Sequence, residues 1–222
     1  MSDSTLFLLS WGVLAAGLSG CALLHRLGLK TTYVRDVLHI GTGVWVLAWP
    51  LFQEQLAPVA IVLVVALATA SVPVLARHSP SVAHFRDLFA GGDERWGGLT
   101  LYTGAYALFT WVGFSVEAFP AAAALLSLSL GDGVGGFVGR RYGKHHFSVP
   151  GGKRKSLEGS LTVLCAATCG VLLAAWRFGA DVSLLAAFGL GLGAALAEAL
   201  SPRGTDNVTV PAMVWALAEA SR

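Results

Sequence analysis

Charge is what this chain has least of. Only 13% of its residues are Asp, Glu, Lys or Arg, where a soluble domain carries about 25%. Apolar residues make up 55% and the mean hydropathy is +0.67. A soluble core of this size could not hide so much apolar surface, whereas lipid can. Cysteine is scarce too: Cys21, Cys165 and Cys169 all lie in apolar stretches, with neither a disulfide framework nor zinc spacing. Cys165 and Cys169 share a helix face and read as structural filler. No basic segment is interleaved with aromatics and the net charge is only +2, so no nucleic-acid partner is expected. Leu18-Ser19-Gly20-Cys21 has the look of a lipoprotein cleavage site, but only Asp3 and no Lys or Arg precedes it. The positive start of a signal peptide is missing, so this run reads as a first membrane helix that stays uncleaved. There is no soluble domain, low-complexity linker or strong internal repeat, and a single membrane-embedded domain over 1–222 is expected.

What is there is a series of apolar runs. A spanning helix needs about 20 mostly apolar residues. Candidate runs are 6–24, 37–52, 58–75, 99–114, 120–138, 157–176, 182–200 and 208–220. They predict an all-α, polytopic integral membrane protein with about seven or eight transmembrane helices. The stretch 81–89, with His84, Arg86 and Asp87, is too short to span and reads as interfacial. Loops after the first, third, fifth and seventh runs hold nearly all the cations: Arg26, Lys30 and Arg35; Arg77, Arg86 and Arg95; Arg140, Arg141, Lys144, Lys153, Arg154 and Lys155; and Arg203. Arg177 and Arg222 fall on the other side. The positive-inside rule makes those four loops cytoplasmic and puts both termini outside. Asp93, Glu94, Asp132, Glu158, Glu198 and Asp206 gather on the same side. Topology requires Lys and Arg, but does not require acids inside helices.

Two stretches carry the chemistry. Gly131, Gly135, Gly139 and Gly143 recur at every fourth residue, lining one helix face where a backbone or ligand can approach closely. Asp132 lies about two turns inside the end of that membrane helix, where a carboxylate is expensive and functional by default. Gly136 and Arg140 follow it on the same face at helical spacing. A carboxylate beside a glycine gap and an arginine suits a phosphate-bound metal ion. Gly131, Gly133 and Gly136 also match G-x-G-x-x-G, but no strand–turn–helix unit surrounds them, which excludes the dinucleotide reading. The second stretch is 150–160. Lys153, Arg154 and Lys155 run from a glycine-containing loop into a helix start, a plausible cradle for a polyphosphate. Ser156 can cap that helix. Glu158 sits among these cations, and a simple membrane-surface basic loop does not explain it.

Gly131-Asp132-Gly133 with Gly139-Arg140-Arg141-Tyr142-Gly143-Lys144, followed by Lys155-Ser156-Leu157-Glu158-Gly159-Ser160, resembles the nucleotide-binding region of the CTP-dependent polyprenol kinases, the phytol kinase and dolichol kinase family. A related pattern occurs in phosphatidate cytidylyltransferases, so a CTP-dependent lipid-phosphate cytidylyltransferase is the alternative. Two further segments favour the kinases. Arg35-Asp36-Val37-Leu38-His39 with Gly43 resembles the Arg-x-x-x-His-x-x-x-Gly element of phytol kinases. Asp206-Asn207-Val208-Thr209-Val210-Pro211 resembles the kinases' Asp-Asn-Leu-Thr-Val-Pro ending, and the cytidylyltransferase ending is missing. The segment containing Arg95 and Gly98 is a further candidate part of the resemblance.

The resemblance implies a lipid kinase that moves the γ-phosphoryl of CTP to a lipid-soluble isoprenoid alcohol at the cytoplasmic face. Nucleotide and phosphate binding then falls to Gly133, Gly136, Arg140, Arg141, Lys144, Lys153, Lys155, Ser156, Glu158 and Asn207. Mg2+ falls to Asp132, helped by Glu158 or Asp206. Asp206, Glu198 or His39 would orient the alcohol and take its proton. At 222 residues the chain is closer to phytol kinases than to the longer dolichol kinases.

Overall fold

The computed structural model describes residues 1–91, 93–149, 153–202 and 204–221, with backbone alone at 93–95 and 153. All eight apolar runs are helical. Among the described residues the order is α1 (Asp3–Arg26), α2 (Thr31–Val44) continued by a 3₁₀ helix (Trp45–Leu51), α3 (Leu56–Leu75), α4 (Pro80–Ala90), α5 (Asp93–Ser115) and α6 (Ala118–Tyr142). A hairpin follows, β1 (His146–Val149) and β2 (Lys153–Ser156), then α7 (Leu157–Phe178), α8 (Leu184–Leu200) and α9 (Asp206–Ala220). The chain is thus an all-α polytopic membrane protein with one small hairpin. Pro50 lies inside the 3₁₀ helix, where the missing N–H would break a longer α ladder.

By length and composition α1, α3, α6 and α7 can each cross a bilayer. They are not equivalent. Within their most apolar stretches, 11% of α1 and 17% of α3 is buried in the protein, against 67% of α6. Leu8, Leu9 and Val13 of α1, and Leu63, Val64 and Leu67 of α3, are exposed, which in water would be costly but against acyl chains is not. α6 is the axis of the bundle and packs against α2, α5, α7 and α9. Its first half, from Ala121 to Leu128, is fully buried core.

Small residues set the helix spacing around that axis. A Cβ on Gly170 of α7 would lie 3.0 Å from the Leu126 carbonyl of α6, and one on Gly133 would lie 2.5 Å from Ile40 Cγ1 of α2. The stretch read as interfacial is α4, capped by Ser79, started by Pro80 and closed by left-handed Gly91 (φ 72°). Phe89 and Ala90 pack it onto Trp96, Cys21 and Val34. At the start of α1, both Asp3 carboxylate oxygens accept backbone N–H bonds, from Gln53 and Glu54, at 2.9 Å.

The hairpin is the element the apolar pattern does not announce. Its strands are antiparallel, with His146 opposite Ser156 and Val149 opposite Lys153. Ser156 ends β2 and also caps α7, its Oγ accepting from Gly159 N at 3.1 Å. The basic stretch therefore enters α7 as a strand, on the same end of the bundle as the C-terminal end of α6. Arg203 lies outside the described residues, as do the side chains of Arg95 and Lys153.

Candidate active site

Three helices deliver carboxylates to one point. Asp132 projects from α6 about three turns before its end, Glu198 from the last turn of α8, and Asp206 opens α9. One oxygen of each lies within 4.8 Å of the others. Glu198 is 6% exposed and the two aspartates are half-buried. Such a group is unfavourable by itself, because ionised carboxylates this close repel and burial raises the penalty. Lys155 of β2 offsets part of it by an ion pair with Glu198. Three oxygen donors with this much negative charge fit a hard divalent cation such as magnesium.

On the other flank stands His39 of α2. Its Nε2 is buried without a hydrogen-bond partner and lies 3.9 Å from Asp132 Oδ2. A buried polar atom left unpaired is rare and calls for a reason. Tyr102 of α5 fixes this histidine from behind. The two rings are 4.0 Å apart between centroids, and the Tyr102 hydroxyl donates to the His39 carbonyl at 3.0 Å. Asn207, next to Asp206, is held by donation from Nδ2 to the carbonyls of Gly98 at 3.1 Å and Gly204 at 3.3 Å. Gly98, singled out in the sequence, thus anchors the start of α9. The Oδ1 of Asn207 is buried without a partner.

The remaining residues divide between this cleft and its supports. Arg140 does not meet Asp132. It forms an ion pair with Asp36 of α2, lies 5.7 Å over the Tyr33 ring and folds across Gly136, where a Cβ would come within 3.0 Å of Nη1. Glu158 is likewise not the third acid beside Asp132; that position belongs to Glu198. The Glu158 oxygens accept from His145 Nδ1 at 2.7 Å and from the backbone N–H of Lys144 at 3.1 Å and His145 at 3.3 Å, which clamps the hairpin to the start of α7. Gly133 serves the α2–α6 crossing and Ser156 the α7 cap. Lys144 is exposed near the hairpin. Arg141 lines a separate groove with Tyr33 and Phe137, on the outer side of the α2–α6 seam. Asp36 is the residue that sequence reasoning passed over. Its signal was its place three residues before His39 on the same helix face, as the one acid of α2.

No protein-family model matches the chain, and no solved structure matches it. Among curated proteins, a phytol kinase of Synechocystis sp. is 34% identical over 198 residues, covering 85% of this chain and 79% of the relative. Identity at that level and over that length shows common descent, and the chain belongs to the polyprenol/phytol kinase family.

Proposed function

We propose that this protein transfers the γ-phosphoryl of CTP to the hydroxyl of an isoprenoid alcohol such as phytol or geranylgeraniol, at the cytoplasmic face of the membrane. The relative's name supports a kinase for isoprenoid alcohols. The observation that carries the site is the meeting of Asp132, Glu198 and Asp206 with Lys155 on one flank and His39 on the other. Phosphoryl transfer is mostly positioning and charge neutralisation, and these groups divide that work.

A magnesium ion held by Asp132, Glu198 and Asp206 would neutralise phosphate oxygens as charge develops on them. Lys155, already at the cluster, would swing from Glu198 to a phosphate, with Arg154 and Lys144 supplying further cations from the same end of the bundle. His39 would accept the alcohol proton at Nε2, the atom left without a hydrogen bond. Tyr102 holds the imidazole ring in place for that transfer. Arg140 acts one step back, tying α2 to α6 through Asp36 so that His39 and Asp132 stay opposed. Cytidine preference rests on the resemblance to CTP-dependent kinases, and the cytoplasmic placement rests on the loop charge bias.

The test is turnover by purified protein in detergent with phytol or geranylgeraniol and γ-labelled CTP, ATP or GTP. Labelled prenyl phosphate and CDP are the expected products, with CTP preferred. Equal rates with ATP would overturn the donor assignment, and release of pyrophosphate would replace the kinase by a cytidylyltransferase.

A further inference from the structure

An apolar groove of about 240 Å3 opens between α1, α2, α3 and α5, away from the carboxylates. Val13, Gly17, Leu38, Gly41, Val62 and Tyr102 are among its walls. It runs along α1 from Cys21 to Ser10, about 16 Å at helical rise. The Cys21 end is nearer the hairpin side of the bundle. At the deep end Trp45 Nε1 donates to Ser10 Oγ at 3.0 Å.

Two glycines in its walls are informative. Gly17 and Gly41 sit inside helices, where glycine is a poor residue, yet a Cβ on either meets nothing within 4 Å. Gly133 and Gly170 differ, since a Cβ there would strike a neighbouring helix. The packing of this protein against itself therefore does not call for Gly17 and Gly41, and their lack of a side chain leaves the groove wide at these two positions. The groove ends against the site, with Tyr102 between them. Tyr102 lines the groove, and its ring lies 4.0 Å from that of His39, which opposes Asp132.

We propose that this groove holds the branched tail of the isoprenoid alcohol, with the hydroxyl end at the Tyr102–His39 partition and the tail pointing away from the hairpin. The inference rests on the kinase reading above. A membrane acyl chain would fit the apolar walls, but it has no need of a groove that ends at the tyrosine packed on His39. Methyl branches need the lateral room that Gly17 and Gly41 leave. The volume lies below the usual range of about 300–1,000 Å3 for a complete ligand site, so the groove takes the part of the tail next to the hydroxyl and the rest runs on in lipid.

A Cβ at Gly17 or Gly41 meets nothing within 4 Å, so Gly17→Leu and Gly41→Leu place a side chain in the groove, and leucine favours a helix; both variants should fold, as thermal unfolding would verify. The KM for geranylgeraniol should rise about tenfold or more in each, while the KM for CTP stays within about twofold. A diazirine-bearing farnesol analogue should cross-link to the peptides of α1 and α2 that line the groove, and Gly41→Leu should abolish that label. Unchanged KM in the folded variants, with cross-links elsewhere, would make the groove a lipid-packing feature only and leave the kinase reading standing. Should the wild type phosphorylate no alcohol yet label at the groove, the prenyl site stands and the kinase reading falls. No turnover and no label at the groove would remove both.

Discussion

Asp132 and Asp206 reach one point from segments about seventy residues apart, and their replacement separates chemistry from architecture. Asp132→Asn and Asp206→Asn keep the side-chain shape and remove one negative charge each. Loss of a group that acts on transition-state charge commonly costs about 10²-fold or more in rate, so CTP turnover should fall by at least that factor. The folded state should not suffer, because an amide is cheaper to bury than a carboxylate among other carboxylates. Turnover and thermal stability measured on the same preparations check both halves, and wild-type turnover in either folded variant would exclude that aspartate from the mechanism. Lys155 differs in its effect on stability. Lys155→Met leaves Glu198 buried without its cation, and breaking a buried pair by removing one partner costs about 3 kcal/mol or more. Its melting temperature should fall, and added magnesium should raise it by more than in the wild type. A variant as stable as the wild type, indifferent to magnesium, would mean that the pair and the cluster are not energetically linked.

At the scale of elements, α6 does two jobs along its length. The half from Ala121 to Leu128 is sealed core, and the half from Gly131 onward carries Asp132 through gaps between α2 and α7. Gly135 marks the α7 side: a Cβ there would run into Val163 and lie 3.2 Å from the Gly159 carbonyl. Gly135→Leu should therefore cost about 1–3 kcal/mol by overpacking, lowering the melting temperature, whereas the groove-filling Gly17→Leu should not. Equal stability of the two would mean that α6 and α7 are not held in close approach. These elements differ in how legible they were. Hydrophobic runs of membrane length mark helices strongly, and all eight appear near the expected positions. Asp132 and Asp206 were legible because lipid penalises acids inside helices and because their neighbours match a known pattern. The partners were not. Helical spacing put Arg140 on the same face as Asp132, but the long guanidinium stem turns to Asp36 of α2, a contact that depends on tertiary placement. Glu158 looked like a ligand among cations, yet short-range bonds to Lys144 and His145 hold it on the hairpin. The hairpin itself spans four residues per strand, too few for any alternation to stand out.

For the molecule as a whole, polarity is the organising fact. The carboxylate cluster, the hairpin and Arg140 lie at one end, and α1 and α3 show mainly apolar surface beyond it. The loop charges predict that this end is cytoplasmic. In a variant with the three native cysteines replaced, Ser148→Cys, exposed on β1, should react with an impermeant maleimide only from the cytoplasmic side of oriented vesicles. Labelling from the outside would invert the topology and the proposed access of nucleotide. The origin of the three carboxylates on α6, α8 and α9 also bears on biogenesis. Helices enter the membrane in the order of synthesis, so an intermediate that has inserted α6 but not α8 and α9 has Asp132 and His39 without Glu198 and Asp206. On the proposed mechanism it lacks two of the three carboxylates that would hold magnesium, so it would not consume nucleotide in the translocon. Competence for the proposed transfer would thus arrive only with α9, and turnover would report that α8 and α9 are both in place.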